Sequence, residues 1–296
     1  MKIVIGGASG FLGTALTDHL RERGHTVTRL VRSGSSSGDD ASHWDPAAGV
    51  IDQDLINAAD AVINLSGASI SRWPRTRAYR QELLDSRTSP TSVIAQAIAK
   101  SPTPPVMLSA SAMGFYGNDR GDEVLTERSA AGTGFLSDLV QAWEGAALPA
   151  VETTRVLFLR TTLVLDKRGG LLKLMLIPFK LGAGAKLGSG TQYMSFISLE
   201  DWLRAVEFLL ESQAASGPYN LTMPQSQTNA EFTDALGKAL NRPTFLAAPG
   251  IALKAALGPG IAKDLLGSLR VSPKALTSAG FEFDHPDLAS TIDAAL

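Results

Sequence analysis

The sequence predicts an α/β fold: a doubly wound parallel sheet with a smaller, mostly helical region near the C-terminus. Three observations predict it. Short apolar runs rich in Val and Ile alternate with runs of helical period along most of the 296 residues. A glycine-rich loop, Gly7-Ala8-Ser9-Gly10-Phe11-Leu12-Gly13, closes the first strand-like run and opens the first helical one. Beyond about residue 240 the strands give out, and short helical stretches broken by Pro and Gly take over.

The elements follow in order. Lys2-Ile3-Val4-Ile5 reads as a buried strand. From Phe11 to Arg23, apolar side chains at Phe11, Leu12, Ala15, Leu16 and Leu20 fall at helical spacing, and Gly24 stops the helix. Thr26 to Val31 is the second strand. This strand, glycine loop, helix and strand form a unit of Rossmann type, in which the loop turns tightly and cradles a pyrophosphate at the helix N-terminus. Gly7, Ala8, Ser9, Gly10, Phe11, Leu12 and Gly13 are therefore the first candidate cofactor residues.

The end of the second strand decides the cofactor. A site for NAD places an acid there to accept from the adenosine ribose hydroxyls. This chain has Arg32, which cannot accept but can pair with a 2′-phosphate, so the expectation is NADP(H). The competing reading makes Arg32 a solvated surface arginine and gives the ribose to Asp39 or Asp40. Residues 33–38, rich in Gly and Ser, read as an exposed, mobile loop.

Ala61-Val62-Ile63-Asn64-Leu65 is a further strand, ended by Ser66-Gly67. In a doubly wound sheet the strands' carboxyl ends border the ligand crevice, which puts Leu65, Ser66 and Gly67 beside the cofactor. A long helix over about 75–100 carries Glu82 and Arg87, each either a surface charge or a ligand contact. Val106 to Ser111 is a strand ending in small hydroxyl residues, followed by a flexible Gly114-Phe115-Tyr116-Gly117 loop. A helix over 135–147, a strand over 155–160 and a strand over 193–198 come next. Ser198 and Thr228 each open a capping-box pattern, with helices to about Glu211 and Leu240, and Tyr219 to Thr222 forms the last strand between them. Ser272-Pro273 and His285-Pro286 fit helix starts with proline in the first turn. The cofactor-binding core is thus assigned to 1–167, with strands near 193–222 completing its sheet, and the substrate-side helical region to 168–296.

Composition narrows the class. Apolar residues make up 44% and charged residues 19%, with a net charge of −2, which offers no overall footprint for nucleic acid or an anionic membrane. Cysteine is absent, which removes disulfides, thiolate nucleophiles and thiolate metal ligands. The four histidines show no metal-ligand spacing, so no metal is expected. The apolar stretch from Leu171 to Leu181 is interrupted by Lys173, Pro178 and Lys180 and falls short of the ~20 residues that span a bilayer. The first strand begins at once, leaving too short an apolar run for a signal peptide, and a cytoplasmic location is expected.

Several motifs together carry a resemblance: Gly6 to Gly13, Asn64-Leu65-Ser66-Gly67, Ser86-Arg87, residues 109–117, Trp143-Glu144, Pro178-Phe179, residues 187–190, and residues 217–221. They resemble the extended short-chain dehydrogenase/reductases, in an atypical branch labelled as nucleoside-diphosphate-sugar epimerases. Val271-Ser272-Pro273 with Gly280-Phe281-Glu282-Phe283 resembles that branch's C-terminal helical segment. The resemblance implies NADP(H) at the glycine loop and Arg32, with Leu65, Ser66, Glu82, Arg87 and Val164 lining the cofactor site. It implies an oxidoreductase or epimerase acting on a small polar substrate such as a nucleotide sugar.

The chain departs from that superfamily at the catalytic pair, Tyr-x-x-x-Lys. Four residues after Tyr79, Tyr116, Tyr193 and Tyr219 stand Leu83, Arg120, Ile197 and Met223, and the positions expected for the pair carry Leu136 and Val140. Two apolar residues cannot relay a proton. Ser111 and Tyr116 remain as candidates for proton or substrate contact, with Tyr116 equally readable as a packed ring. The alternative is a protein that binds NADP(H) without chemistry, as a redox-responsive module. No nucleic-acid or membrane partner is expected.

Overall fold

The computed structural model describes residues 1–32, 38, 40–70, 72 and 74–296, without the side chains of 256, 257 and 261. Seven strands form one sheet: β1 (Lys2–Gly6), β2 (Thr26–Arg32), β3 (Ala41–Trp44), β4 (Ala61–Asn64), β5 (Val106–Ala112), β6 (Val156–Thr161) and β7 (Gly217–Leu221). Their spatial order is β7-β6-β5-β4-β1-β2-β3, and every pairing is parallel. This is a Rossmann-type doubly wound sheet. The order reverses between β1 and β4, and in sheets of this kind the ligand crevice lies beyond the carboxyl ends of the strands at such a reversal.

Alternation along the strands sorts side chains to the two faces. Ile3, Ile5, Ala61, Ile63 and Leu108 pack on one side with Leu16 and Leu20 of α1 (Phe11–Glu22). Val4, Val62 and Met107 pack on the other with Ile94 and Ile98 of α2 (Arg77–Ala99). Both faces are buried, which is why these strands are near-continuous apolar runs. α3 (Phe135–Gly145) lies against β5, and α5 (Leu199–Glu211) joins the α1 side through Trp202, Val206 and Leu209. Between those two helices in sequence lies α4 (Gly170–Lys180).

The C-terminal part is built from α6 (Asn229–Ala239), α7 (Gly250–Leu266) and α8 (Leu288–Ala295). Its own core joins Phe179, Phe196, Phe232, Leu288 and Ile292, with the Phe196 and Phe232 rings stacked at 4.5 Å. Ser198 caps α5 by accepting from the Asp201 N–H at 3.0 Å, and Thr228 with Glu231 forms a full capping box on α6.

Two expectations change. The segment 193–198 does not complete the central sheet. Ser195 interrupts it, its hydroxyl bonded to the Leu269 carbonyl and the Val271 N–H. Tyr193–Met194 then pairs with Gln227–Thr228, and Phe196–Ser198 with Leu163–Leu165. The prolines lie outside the helices they introduce: Pro273 is the N-cap of Lys274–Ser278, and Pro286 precedes the Asp287 cap of α8. The loop expected at 33–38 falls, except for Gly38, outside the described residues, as does Asp39.

Candidate functional site

The glycine loop sits at the reversal point of the sheet. Gly7 has φ +77°, and a Cβ there would lie 2.6 Å from the Leu65 carbonyl carbon, so β1 and the end of β4 touch backbone to backbone. A Cβ on Gly13 would lie 2.2 Å from the Gly7 carbonyl oxygen, so the first turn of α1 packs directly on the loop. Gly10 is the N-cap of α1 and supplies no side-chain cap, and no acid stands in the first turn. The first-turn N–H groups therefore lack intrahelical acceptors and have the positive end of the helix dipole behind them. Ser9 and Gly10 are exposed, while Ala8, Phe11 and Leu12 pack into the same apolar cluster as Leu65 and Val164. An uncapped helix N-terminus with no acid in its first turn has the polarity that suits a pyrophosphate.

Leu65 extends the β1 pairing by donating its N–H to the Gly6 carbonyl at 2.8 Å. Buried Asn64 then fixes the turn. Its Oδ1 accepts from the Ser66 N–H at 3.1 Å and its Nδ2 donates to Thr91 Oγ1 at 2.9 Å. Ser66 and Gly67 consequently follow just beyond the carboxyl end of β4.

Arg32, the last residue of β2, is exposed and makes no ion pair among the described residues. Asp40, one of the two alternative ribose acceptors, is committed elsewhere. It accepts from Arg29 Nε at 2.9 Å and Arg29 Nη2 at 2.7 Å, and from Arg21 as well. These bonds, Arg29's first, hold its carboxyl well below the usual carboxylate range. The crevice end of β2 thus presents a cation, and the described acid beside it is already neutralised.

Arg87 enters from α2 beneath Gly67. Its Nη1 donates to the Leu83 carbonyl and its Nη2 to the Ala68 carbonyl, both at 3.0 Å, and its guanidinium lies 5.2 Å from the Trp143 ring centroid. The residue is buried and has no acidic partner among the described residues. Burial pushes its pKa down to about 10, so it remains charged at neutral pH. A buried cation without a counter-charge is costly, and it fits an anionic ligand in the crevice. Glu82 behaves differently. It is exposed and pairs loosely with Arg72 at 3.9 Å, so the described structure brings it to no other member of the set.

Ser111 and Tyr116 belong to a buried network rather than to an open surface. Ser111 donates to Glu144 Oε1 at 2.6 Å. Glu144 receives a bidentate pair from Arg160, Nε and Nη2 each at 2.9 Å. Arg160 Nη1 donates to the Tyr116 hydroxyl at 3.2 Å, and that hydroxyl donates to Asn220 Oδ1 at 2.7 Å. Tyr116 is 0% exposed, and burial pushes its hydroxyl pKa up. In this structure Tyr116 is the packed ring, with both hydrogen-bonding roles of its hydroxyl filled. Arg120 does not assist it: its guanidinium engages Glu123 and the carbonyls of Tyr116 and Ala130. A 3-10 turn ends at Tyr116, and the backbone from Gly117 to Arg120 is irregular, so the four-residue spacing does not bring the two side chains together as it would on an α-helix. On α3, Leu136 and Val140 pack one turn apart within 3.6 Å of the Cβ position of Gly114.

Sequence reading missed Glu144, Arg160 and Asn220 as partners, because they come from an α-helix and two strands far apart in the chain. It also missed Asp264. That residue of α7 reaches Arg75 after β4 and Asn118 after β5, and so ties the C-terminal region to the crevice rim. His25, Glu207 and Glu211 bring possible ligand atoms within 4.8 Å, although spacing predicted no histidine metal site. Glu207 is already bound to His19 at 2.8 Å and lies 3.5 Å from Arg23, and His25 Nδ1 meets the Met1 amine, so cationic groups surround this cluster.

Sheet order, uncapped glycine loop and crevice define a Rossmann-type α/β protein. Comparison with known sequences narrows the class. The profile of the NAD dependent epimerase/dehydratase family matches residues 3–222, and that of a domain of unknown function, DUF1731, matches residues 248–295. The chain belongs to the NAD dependent epimerase/dehydratase family. An epimerase family protein of Mycobacterium leprae is 44% identical over 294 residues, covering 99% of this chain and 95% of the relative. The crystal structure of human epimerase family protein SDR39U1 with NADPH superposes with a TM-score of 0.90 at 33% identity, covering 100% of this chain and 99% of the human one. A nucleoside-diphosphate sugar epimerase of Corynebacterium glutamicum gives 0.83 at 32% identity, covering all of this chain and 58% of that one.

Proposed function

We propose that this protein binds NADP(H) in the crevice between β1 and β4 and acts as an oxidoreductase or epimerase on a small polar substrate, with a nucleotide sugar as the candidate class. The observation that carries the cofactor reading is the uncapped N-terminus of α1 together with an exposed Arg32 at the end of β2 that makes no ion pair among the described residues. The first-turn N–H groups would hold the pyrophosphate, Arg32 the 2′-phosphate, and Arg87 the remaining negative charge beside Gly67. Leu65, Ser66 and Val164 would line the walls. The human relative solved with NADPH, at 33% identity, supports the same choice. Bound there, the nicotinamide would supply hydride transfer. Proton movement would need a group other than a Tyr/Lys pair on α3, where Leu136 and Val140 stand.

That substitution favours a second reading, a cytoplasmic NADP(H)-sensing module with no chemistry of its own. Ser111 and Tyr116, the candidates for proton contact, are already hydrogen-bonded within the protein.

Titration with NADPH and NADH tests the cofactor assignment. NADPH should bind more tightly. Arg32→Asp should cost NADPH about tenfold to a hundredfold, the worth of a charge-assisted pair, while leaving NADH little changed. Equal loss for both cofactors, or none, overturns the role of Arg32. A screen for substrate-dependent change in cofactor absorbance, run on carbonyl compounds and sugar nucleotides, then separates the two readings. Turnover establishes the enzyme; binding without turnover across the panel favours the module.

A further inference from the structure

The whole-chain charge of −2 averages over a marked segregation. Residues 170–199 and 235–263 hold seven Lys and Arg and no Asp or Glu, although the chain's average of 29 acids in 296 residues would put about six there. The two segments are neighbours. Leu246–Ala248 pairs with Ala185–Leu187, and Arg242 Nε donates to the Lys180 carbonyl at 2.8 Å. Six of the cations are exposed: Lys173, Lys180, Lys238, Arg242, Lys254 and Lys263. None of the seven has an acidic partner among the described residues. The acids directly bordering the segments are engaged, Glu200 by His285, Asp234 by Thr244 and Asp264 by Arg75 and Asn118.

The same segments carry most of the protruding apolar surface. Of the eleven large hydrophobic residues exposed among those described, six are here: Leu174, Ile177, Leu181, Phe245, Leu246 and Ile251. Leu181, Phe245 and Ile251 are 80%, 82% and 83% exposed. Leu174, Ile177 and Leu181 recur at intervals of three and four residues along α4 and its end, and so share one face. Side chains this exposed stand out from the surface, whereas a small-molecule site is concave.

We infer that this face docks the protein on an anionic lipid surface. Protruding Leu, Ile and Phe suit the boundary between headgroups and acyl chains, and unpaired Lys and Arg around them suit anionic headgroups. The contact is peripheral: among the described residues no helix is long and apolar enough to cross a membrane. The inference is independent of the cofactor reading, and it gives the chain a surface that its net charge conceals.

Cosedimentation of the full chain with vesicles tests it. Vesicles of phosphatidylcholine mixed with phosphatidylglycerol should retain the protein, more strongly at low salt, and vesicles of phosphatidylcholine alone should not. The triple variant Lys173→Glu/Lys180→Glu/Lys254→Glu should lose roughly a hundredfold or more in partitioning. Leu181→Ser/Phe245→Ser/Ile251→Ser should lose binding by a separate route, through the apolar term. Both variants should keep the parent's circular dichroism and NADPH affinity. Failure to bind the mixed vesicles overturns the inference, as does equal binding by the charge variant. So does a dimer of the parent that the Ser variant dissociates, since a second copy would then cover the face.

Discussion

Tyr116 shows how a reactive side chain can be absorbed into structure. Its hydroxyl accepts from Arg160 and donates to Asn220, and its ring meets Phe115 edge-on at 5.4 Å. Tyr116→Phe keeps the ring and leaves Asn220 Oδ1 and one Arg160 N–H without a partner. The expected loss is about 1–3 kcal/mol in urea unfolding, with NADPH affinity unchanged. A drop in affinity or turnover without loss of stability would instead return Tyr116 to the chemistry. The pH dependence has a definite sign. The folded pKa is raised above the ordinary 10.0, so the stabilisation is complete below pH 10 and declines as pH rises through the folded value. The spacing Tyr-x-x-x-Arg was legible in the sequence; the Arg160 and Asn220 that fill the hydroxyl's hydrogen-bonding roles were not, because they stand on strands far away in the chain. Arg87 was legible as a candidate; its lack of an acidic partner is a property of the packing.

At the scale of the element, the glycine loop was the most legible part of the chain, because each of its contacts is local. The Cβ position of Gly13 lies 2.2 Å from the Gly7 oxygen and 2.8 Å from the Ala8 Cα, both backbone atoms. Gly13→Ala should therefore push α1 off the loop, lowering the melting temperature by several degrees and weakening NADPH binding more than tenfold. Retained affinity in that variant would show that the loop does not hold the pyrophosphate. Six of the seven sheet strands were also readable, the central ones β1, β4 and β5 because they are buried on both faces. The seventh, β3, escaped notice because it is a four-residue edge strand with only Trp44 buried. The segment 193–198 misled for the opposite reason: its residues have strand character, but a side-chain hydrogen bond inside it divides it between two partners.

At the scale of the molecule, the C-terminal region is bound to the sheet by side chains that accept from its backbone. Asp201, fully buried on α5, accepts from the N–H groups of Asp284 and His285 at 2.9 and 2.8 Å and from Arg204. Glu127 accepts from Asn220 and Ala275, and the Asn220 amide donates to the Ser272 carbonyl. Asp201→Ala should cost about 2–4 kcal/mol and expose residues 284–296 to limited proteolysis ahead of the sheet. Simultaneous cleavage throughout would show that the region is held by its apolar core alone. Little of this was legible: the capping pattern at Ser198 gave the helix, and nothing in the pattern gave Asp201 its distant acceptor role.

The chain of contacts from Ser111 through Glu144, Arg160 and Tyr116 to Asn220 also constrains how such a protein can diverge. A lone change at Glu144 strands a guanidinium in the interior, and a lone change at Arg160 strands a carboxylate. Lineages should therefore vary these positions in sets, and an alignment of relatives in which Glu144 and Arg160 drift independently would contradict that history.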